Sequence, residues 1–157
     1  MLFHMSIDAE RPEHVANVLA ELWGGVALPF PPVTQDAWIA MAGDDRGTAI
    51  EVYPVGTQLV EYDGDGDAYG VPGPVLAKTA THAAIGSSLN EPEVIAIADR
   101  EGWPAKYRNR GGLFGVIEVW IEGRQMIEVL TPQMQEDYQR TMTPAGWRRL
   151  LEAGPPA

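Results

Sequence analysis

The sequence contains no cysteine among its 157 residues. Disulfide frameworks, thiolate metal sites, iron–sulfur clusters and cysteine nucleophiles are therefore excluded. Basic residues are also scarce, because 11 Lys and Arg stand against 22 Asp and Glu and give a net charge of −11. An acidic surface repels phosphate backbones and anionic lipids, which disfavours nucleic-acid and membrane partners.

Long apolar runs are absent as well. No segment approaches the roughly 18 apolar residues of a membrane span, and residues 1–6 lack the basic region and apolar stretch of a signal peptide. The composition is otherwise that of a globular protein, with 45% hydrophobic and 21% charged residues. These features predict a cytoplasmic enzyme or binding protein whose partner is a small molecule.

Common catalytic motifs are missing too. The chain has no G-x-S-x-G elbow, no H-E-x-x-H and no phosphate loop. Its three histidines are His4, His14 and His82. His14 falls within a predicted helix and receives no functional role.

The pattern along the chain is a strand, a helix and then further strands, and it occurs twice. We predict a single domain over 1–157, with module one at 1–57, a Gly/Pro/Asp linker at 58–79, module two at 80–132 and a tail at 133–157. The predicted elements are strands at 2–7, 38–42, 48–53, 81–85, 113–121 and 125–130, a short strand near 58–62, helices opening at Pro12 and Glu91, and a short terminal helix at 146–151.

The repeat is also visible in single residues. The first half carries a His, two Trp and a Glu in order, and so does the second: His4, Trp23, Trp38 and Glu51, then His82, Trp103, Trp120 and Glu128. The His-to-Glu separations are 47 and 46 residues. Such self-similarity is typical of duplicated supersecondary units that complete one core.

Strand alternation places the repeated polar residues on one face. Glu51 lies between two β-branched residues, and Glu128 does so too, which directs each carboxylate away from the apolar face. A two-fold arrangement of His4, Glu51, His82 and Glu128 would bring two imidazoles and two carboxylates to one centre. These donors suit one divalent ion of Ni, Zn, Mn, Co or Fe, with two octahedral positions left for substrate. The alternative is two core histidines and two solvent-face glutamates, which the matched separations disfavour.

With this quartet, residues 2–132 resemble the vicinal oxygen chelate superfamily, also called the glyoxalase/bleomycin-resistance/dioxygenase group. The resemblance implies an α+β fold in which two β-α-β-β-β modules form an incomplete barrel around a metal-binding cavity. The quartet is most similar to that of bacterial-type glyoxalase I. The resemblance also implies a homodimer, with modules pairing within or between chains.

Three functions are compatible with this resemblance. The first is a metal-dependent lyase or isomerase that transfers a proton next to a chelated carbonyl, with Glu128 as the base and Glu51 as a second acid or base. The second is a non-catalytic, antibiotic-type binding protein for a small molecule. The third is a metal-dependent dioxygenase or thiol transferase of the same fold. The quartet favours the first, while the substrate and the metal stay open.

Two positions depart from glyoxalase I. Asp8 and Val55 stand where that enzyme has an Arg and an Asn that hold glutathione. An anionic Asp8 would repel the tripeptide's carboxylate. Glutathione is therefore disfavoured as a co-substrate.

Other residues are candidates for substrate binding. Arg108 and Arg110, in a basic segment at 106–112 predicted as a flexible loop, suit a carboxylate or phosphate, although a solubilising loop has the same composition. Strand aromatics could line a pocket or belong to the core, and they are Trp38, Tyr53 and Trp120. Glu118 could face the same cavity or lie exposed on its strand.

Overall fold

The computed structural model describes residues 2–61 and 66–153, without the side chains of Leu150 and Ala153. These residues form ten strands and four helices. In chain order they are β1 His4–Ala9, α1 Pro12–Trp23, β2 Val26–Pro29, β3 Trp38–Met41, β4 Ala49–Pro54, β5 Thr57–Val60, β6 Tyr69–Pro72, β7 Ala83–Gly86, α2 Glu91–Glu101, β8 Ala105–Arg110, β9 Phe114–Ile121, β10 Gln125–Leu130, α3 Pro132–Thr141 and α4 Pro144–Ala153.

Two four-stranded sheets have the same topology. Their strand orders are β1-β4-β3-β2 and β7-β10-β9-β8. In each sheet the first strand runs parallel to the last strand of its module, while the pairs β2–β3, β3–β4 and β8–β9 are antiparallel. The predicted α+β class with two β-α-β-β-β modules is therefore confirmed.

The module helices begin and end where local chemistry favours it. α1 opens with a proline in its first turn and ends at Gly24, whose φ of 69° is the left-handed conformation that glycine adopts without strain. α2 has a full capping box, in which the side chain of Asn90 accepts from the Glu93 backbone while the Glu93 side chain accepts from the Asn90 backbone.

The core of module one lies between α1 and its sheet. Leu19 and Leu22 of α1 are fully buried, as are Ile50 and Val52 of β4. Since side chains alternate along a strand, burial of Ile50 and Val52 turns Glu51 to the opposite face. The predicted alternation around Glu51 is confirmed.

Several elements differ from the sequence prediction. The segment at 58–79 contains part of a hairpin formed by β5 and β6, and Tyr62 of the predicted strand lies outside the described residues. The prediction of a loop for the basic segment 106–112 is wrong for residues 106–110, which belong to β8. The tail holds two helices, α3 and α4, where one was predicted. The edge strand β2 was not predicted either.

The chain divides into two compact units. The first comprises Met1–Thr81 and Ile121–Gln125, and the second comprises His82–Trp120 and Met126–Ala157. Among the described residues, no helix is both long and apolar enough to cross a membrane.

Candidate functional site

In the first unit, the site is built on the parallel pair β1 and β4. Ser6 pairs directly with Glu51, and His4 lies two residues before Ser6 on β1. Residues two apart on a strand share a face, so His4, Ser6 and Glu51 project on the same side of the sheet. The helix α1 packs on the other side.

The carboxylate of Glu51 is held at one oxygen and directed at an imidazole with the other. The hydroxyls of Ser6 and Tyr53 each donate to Oε2 over 2.7 Å. Oε1 lies 3.7 Å from Nε2 of His4, and the Glu51 side chain is only 12% exposed. Two hydroxyl donors on one carboxylate oxygen fix its orientation, as partners of a metal-binding carboxylate do.

Tyr53 stays protonated in this arrangement. Burial, as the largest cause, and the neighbouring Glu51 carboxylate together raise the pKa of the phenol to about 12. The neutral hydroxyl is the form that can donate to Glu51. Tyr53, predicted as a pocket residue, thus lies at the carboxylate itself.

In the second unit, the equivalent positions carry the second pair. Glu128 on β10 pairs with Ala84 on β7, and His82 lies two residues before Ala84. This is the relation of Glu51 to Ser6 and His4 in the first unit. The structure therefore confirms that the two glutamates occupy equivalent strand positions.

The surroundings of Glu128 are charged. A guanidinium nitrogen of Arg110 donates to Oε1 of Glu128, and the same nitrogen donates to Glu118 over 2.8 Å. Arg108 donates to the other oxygen of Glu118 over 3.0 Å. Arg108 and Arg110, predicted to recognise a substrate anion, are thus placed on carboxylates of their own unit.

The titration of Glu118 reflects these contacts. Burial by itself would raise the pKa of its carboxyl, but the hydrogen bonds from Arg108 and Arg110 outweigh burial and leave the pKa below its ordinary value. The carboxylates of Glu128, which has the larger effect, and Glu118 raise the pKa of Arg110. Glu118 is thus an ion-paired residue on the face that carries Glu128.

The donors in the first unit fit a divalent ion. Two ligands at about 2.1 Å from one ion lie at most about 4.2 Å apart, and the 3.7 Å between His4 and Glu51 satisfies this limit. In the second unit, Arg110 occupies one oxygen of Glu128, which makes Oε2 the oxygen suited to an ion. Throughout residues 2–61 and 66–153, no group of three or more His, Asp or Glu side chains is arranged to hold a metal.

The first unit contains a cavity of about 260 Å³. Its walls come from β1, β4, β5, the segment at 74–81 and the segment at 121–125. Ser6 and Tyr53, the two residues that hold Glu51, also line it. The polar residues on its wall are Ser6, Asp8, Tyr53, Thr57, Gln58, Lys78, Thr79, Thr81, Arg124 and Gln125.

The two tryptophans predicted to line a pocket, Trp38 and Trp120, do not line this cavity. Trp38 pairs with Val52, whose side chain is buried on the helix side, so Trp38 lies on the face opposite Glu51. It lines a separate open depression with residues of α1 such as Glu13 and His14. Trp120 is two residues from Glu118 on β9 and shares its face.

Three functional candidates escaped the sequence analysis: Ser6, Lys78 and Arg124. Ser6 could have been found from the parallel pairing of β1 and β4, because that register places it opposite Glu51. Lys78 and Arg124 carry no such signal. They meet through a long-range contact, in which the Lys78 backbone donates to the Arg124 carbonyl over 2.8 Å.

The chain matches no protein-family model and no curated protein. Solved structures do resemble it. A fosfomycin resistance protein from Listeria monocytogenes, solved with Mn(II) and sulfate, is 13% identical with a TM-score of 0.55, covering 89% of this chain and 96% of that one. A lactoylglutathione lyase from Agrobacterium tumefaciens is 8% identical with a TM-score of 0.53, covering 82% and 91%.

A third similar structure is glyoxalase I from Leishmania major, which is trypanothione-dependent. It is 19% identical with a TM-score of 0.51 and covers 98% of this chain and 97% of that one. Identities this low show a shared fold. The structural neighbours belong to one superfamily, and the predicted resemblance is confirmed at the level of the fold. The chain has the fold of the vicinal oxygen chelate superfamily.

Proposed function

We propose that this protein is a metal-dependent lyase or isomerase that transfers a proton next to a chelated carbonyl of a small molecule. Its metal ligands would be His4, Glu51, His82 and Glu128. The observation that carries the proposal is the equivalent register of the two pairs, with each His two residues before the partner of its Glu. Imidazole and carboxylate donors together suit divalent ions such as Mn, Ni, Zn, Co or Fe.

The residues around the pairs would have separate roles. A bound divalent ion would polarise the substrate carbonyl and make the adjacent C–H more acidic. Glu128 would take that proton at Oε2 once this oxygen is released from the ion, since Arg110 contacts Oε1. Ser6 and Tyr53 would keep Oε2 of Glu51 hydrogen-bonded and its Oε1 directed at His4. Glu51 is also the candidate for the second acid or base.

The cavity of the first unit would hold the substrate. Its volume of about 260 Å³ lies below the roughly 300–1,000 Å³ typical of pockets for drug-sized ligands. A compact substrate therefore fits better than a glutathione conjugate. The carboxylate of Asp8 on the cavity wall also disfavours glutathione.

A second candidate function is non-catalytic binding of a small molecule. The contact from Arg110 to Glu128 favours it, because a guanidinium competes with a metal ion and with a proton for the same carboxylate. The similar structures include a lyase, which supports catalysis, and a fosfomycin resistance protein, which agrees with either function. The dioxygenase or thiol-transferase alternative, the homodimer and the cytoplasmic location stay predictions.

Metal content tests the ligand set. Purified protein should hold about one divalent ion for each set of His4, Glu51, His82 and Glu128. This is about one ion per chain, whether the modules pair within or between chains. His4→Ala, Glu51→Gln, His82→Ala and Glu128→Gln should each weaken binding by more than the roughly 10–100-fold typical of a residue that only orients a ligand. His14→Ala is the matched control and should bind as wild type. A protein that stays metal-free after aerobic and anaerobic reconstitution would remove the enzymatic proposal.

Proton exchange tests the chemistry. Metal-loaded protein is incubated in D₂O with 2-hydroxycarbonyl compounds, acyl-CoA thioesters and thiol hemiacetals. Deuterium should enter beside the carbonyl, and Glu128→Gln should abolish exchange while Glu136→Gln, an exposed residue of α3, should not. If no compound exchanges while binding persists, the binding-protein function replaces the lyase.

A further inference from the structure

We propose that the cavity of the first unit recognises a small anion, a molecule carrying a carboxylate or a phosphonate, through Arg124 and Lys78. No sequence motif pointed to either residue. The proposal rests on the proposed function only in calling the bound anion the substrate. Anion binding itself follows from the cavity.

Arg124 supplies a fixed cation with a spare donor. One guanidinium nitrogen donates to the carbonyl of Leu76 over 2.6 Å, which holds the side chain against the segment at 74–81. Its Nε is buried and finds no hydrogen-bond partner among the described residues. Arg124 also lines the cavity, so its positive charge would attract an anion there. A buried donor without an acceptor is unfavourable, and a small movement of the side chain that lets Nε donate to the bound anion would relieve that cost.

Lys78 is held beside this cation at a conformational cost. Its φ is 54°, in the left-handed region that non-glycine residues rarely adopt. The hydrogen bond from its backbone to the Arg124 carbonyl maintains that conformation. Strained backbone of this kind is often found where side chains are positioned for ligands. Lys78 and Arg124 thereby line one small cavity together.

The charge balance of the cavity differs from that of the chain. Its charged wall residues are two cations, Lys78 and Arg124, and one carboxylate, Asp8. The backbone N–H of Gly56 donates to that carboxylate over 2.8 Å, which offsets part of its charge locally. In a chain of net charge −11, a small cavity with an excess of positive charge selects anions.

The position of the cavity ties the anion to the candidate site. Ser6 and Tyr53 line its wall and also donate to Oε2 of Glu51. An anion held by Arg124 and Lys78 would therefore share one small space with the hydroxyls that contact Glu51. The anionic group would bind at one end of the substrate and the reacting carbon would lie nearer Glu51.

Amine footprinting tests the site without using activity. The chain has two lysines, Lys78 and Lys106, and Lys106 lies on β8 of the other unit. In metal-free protein, lactate and methylphosphonate should slow acetylation of Lys78 by about tenfold, while the uncharged isostere lactamide should not. Lys106 is the internal control and should react equally in all samples. If neither lactate nor methylphosphonate, at concentrations well above about 1 mM, slows the acetylation of Lys78, the proposal is overturned.

Variants give a second, independent measurement. Calorimetric titration of wild type should show lactate binding at least about tenfold tighter than lactamide. Lys78→Gly removes the amine and relieves the left-handed strain, so it should fold and lose the preference. Arg124→Lys keeps the charge but loses the Nε donor and should bind lactate more weakly, whereas Arg148→Gln on exposed α4 should match wild type. An unchanged lactate preference in Lys78→Gly would contradict the assignment.

The two proposals fail separately. Footprinting and calorimetry are performed without metal, so a failure there leaves metal-dependent exchange untouched. Loss of exchange with retained anion binding would instead remove the enzymatic function and keep the anion site.

Discussion

In the first module Glu51 accepts hydrogen bonds from two neutral hydroxyls, whereas in the second module Glu128 accepts one from a guanidinium. The two glutamates occupy equivalent positions of sheets with the same strand order. The backbone of the repeat therefore does not decide the electrostatic setting of its carboxylate. The neighbouring strands decide it.

The difference arises at the outer edge of each sheet. In module one, Glu51 pairs with Ile39, which pairs in turn with Leu28 of the edge strand β2. In module two, the edge strand β8 reads Ala-Lys-Tyr-Arg-Asn-Arg and presents cations toward β9 and β10. An apolar row beside Glu51 leaves its Oε1 available to His4, while the basic row beside Glu128 neutralises that carboxylate. Module one is thus the half better prepared for a metal ion.

The largest test of this contrast removes the guanidinium. Arg110→Ala removes the guanidinium from Glu128 and leaves Glu118 with Arg108 alone, and the two glutamate side chains are only 12% and 15% exposed. We expect a loss of roughly 2–3 kcal/mol in the free energy of unfolding, below the ~3–5 kcal/mol of a fully buried pair because Arg110 is 37% exposed. Urea denaturation measures the loss.

Arg108→Ala is the matched control for that experiment. Arg108 is 46% exposed and contacts Glu118 alone of the two carboxylates, so its removal should cost less than about 1 kcal/mol. Adding Glu128→Gln to Arg110→Ala should restore part of the stability. Equal costs for Arg108→Ala and Arg110→Ala would show that Arg110 does not neutralise Glu128.

A smaller effect is expected in module one. Tyr53→Phe removes one of the two hydroxyls on Glu51 and should cost about 1 kcal/mol of stability. Because burial and the Glu51 carboxylate raise the pKa of Tyr53 from 10.0 to about 12, its stabilising contribution is complete below pH 10 and is lost between pH 10 and 12. Alkaline denaturation of wild type and Tyr53→Phe measures this. Identical alkaline profiles would show that Tyr53 is not the protonated donor.

The smallest effect is expected on the acid side of module two. The pKa of Glu118 is lowered in the folded protein, so its contribution is present above its ordinary pKa near 4.5 and is lost as the pH falls through the folded value. Glu118→Gln should therefore flatten the decrease of the thermal midpoint below about pH 4.5. Glu136→Gln serves as control, and an unchanged acid profile in Glu118→Gln would rule out this ion pair as a source of acid sensitivity.

Much of the fold could be predicted because most helices and strands carry a recognisable pattern of apolar residues, or of helix-ending residues, within their own sequence. α1 and α2 have proline in the first turn and end at a glycine. In β4 a glutamate stands between apolar residues, and β9 is almost continuously apolar. The edge strands β2 and β8 were missed for a physical reason. An edge strand gains its hydrogen bonds and its charge partners from a neighbour that lies far away in the sequence, so its own pattern reads as a loop.

The candidate site could be predicted only in part. The two His and two Glu could be found because a duplicated unit repeats its polar residues at matched separations. The cations of the cavity could not, because Leu76 and Arg124 are 48 residues apart and meet only through a loop contact. The partners of Glu128 were also hidden, since Arg110 was assigned to a substrate anion instead of to its own sheet.

The sequence by itself determined the duplicated α+β modules, the acidic, cysteine-free character and the glutamates that face away from each apolar core. These features depend on local periodicity and composition, which folding preserves. Only the tertiary structure decided that Glu51 is held by Ser6 and Tyr53, that Arg110 binds Glu128, and that Lys78 and Arg124 line one cavity. These contacts join residues from separate strands and loops, and their geometry exists only after the strands have paired.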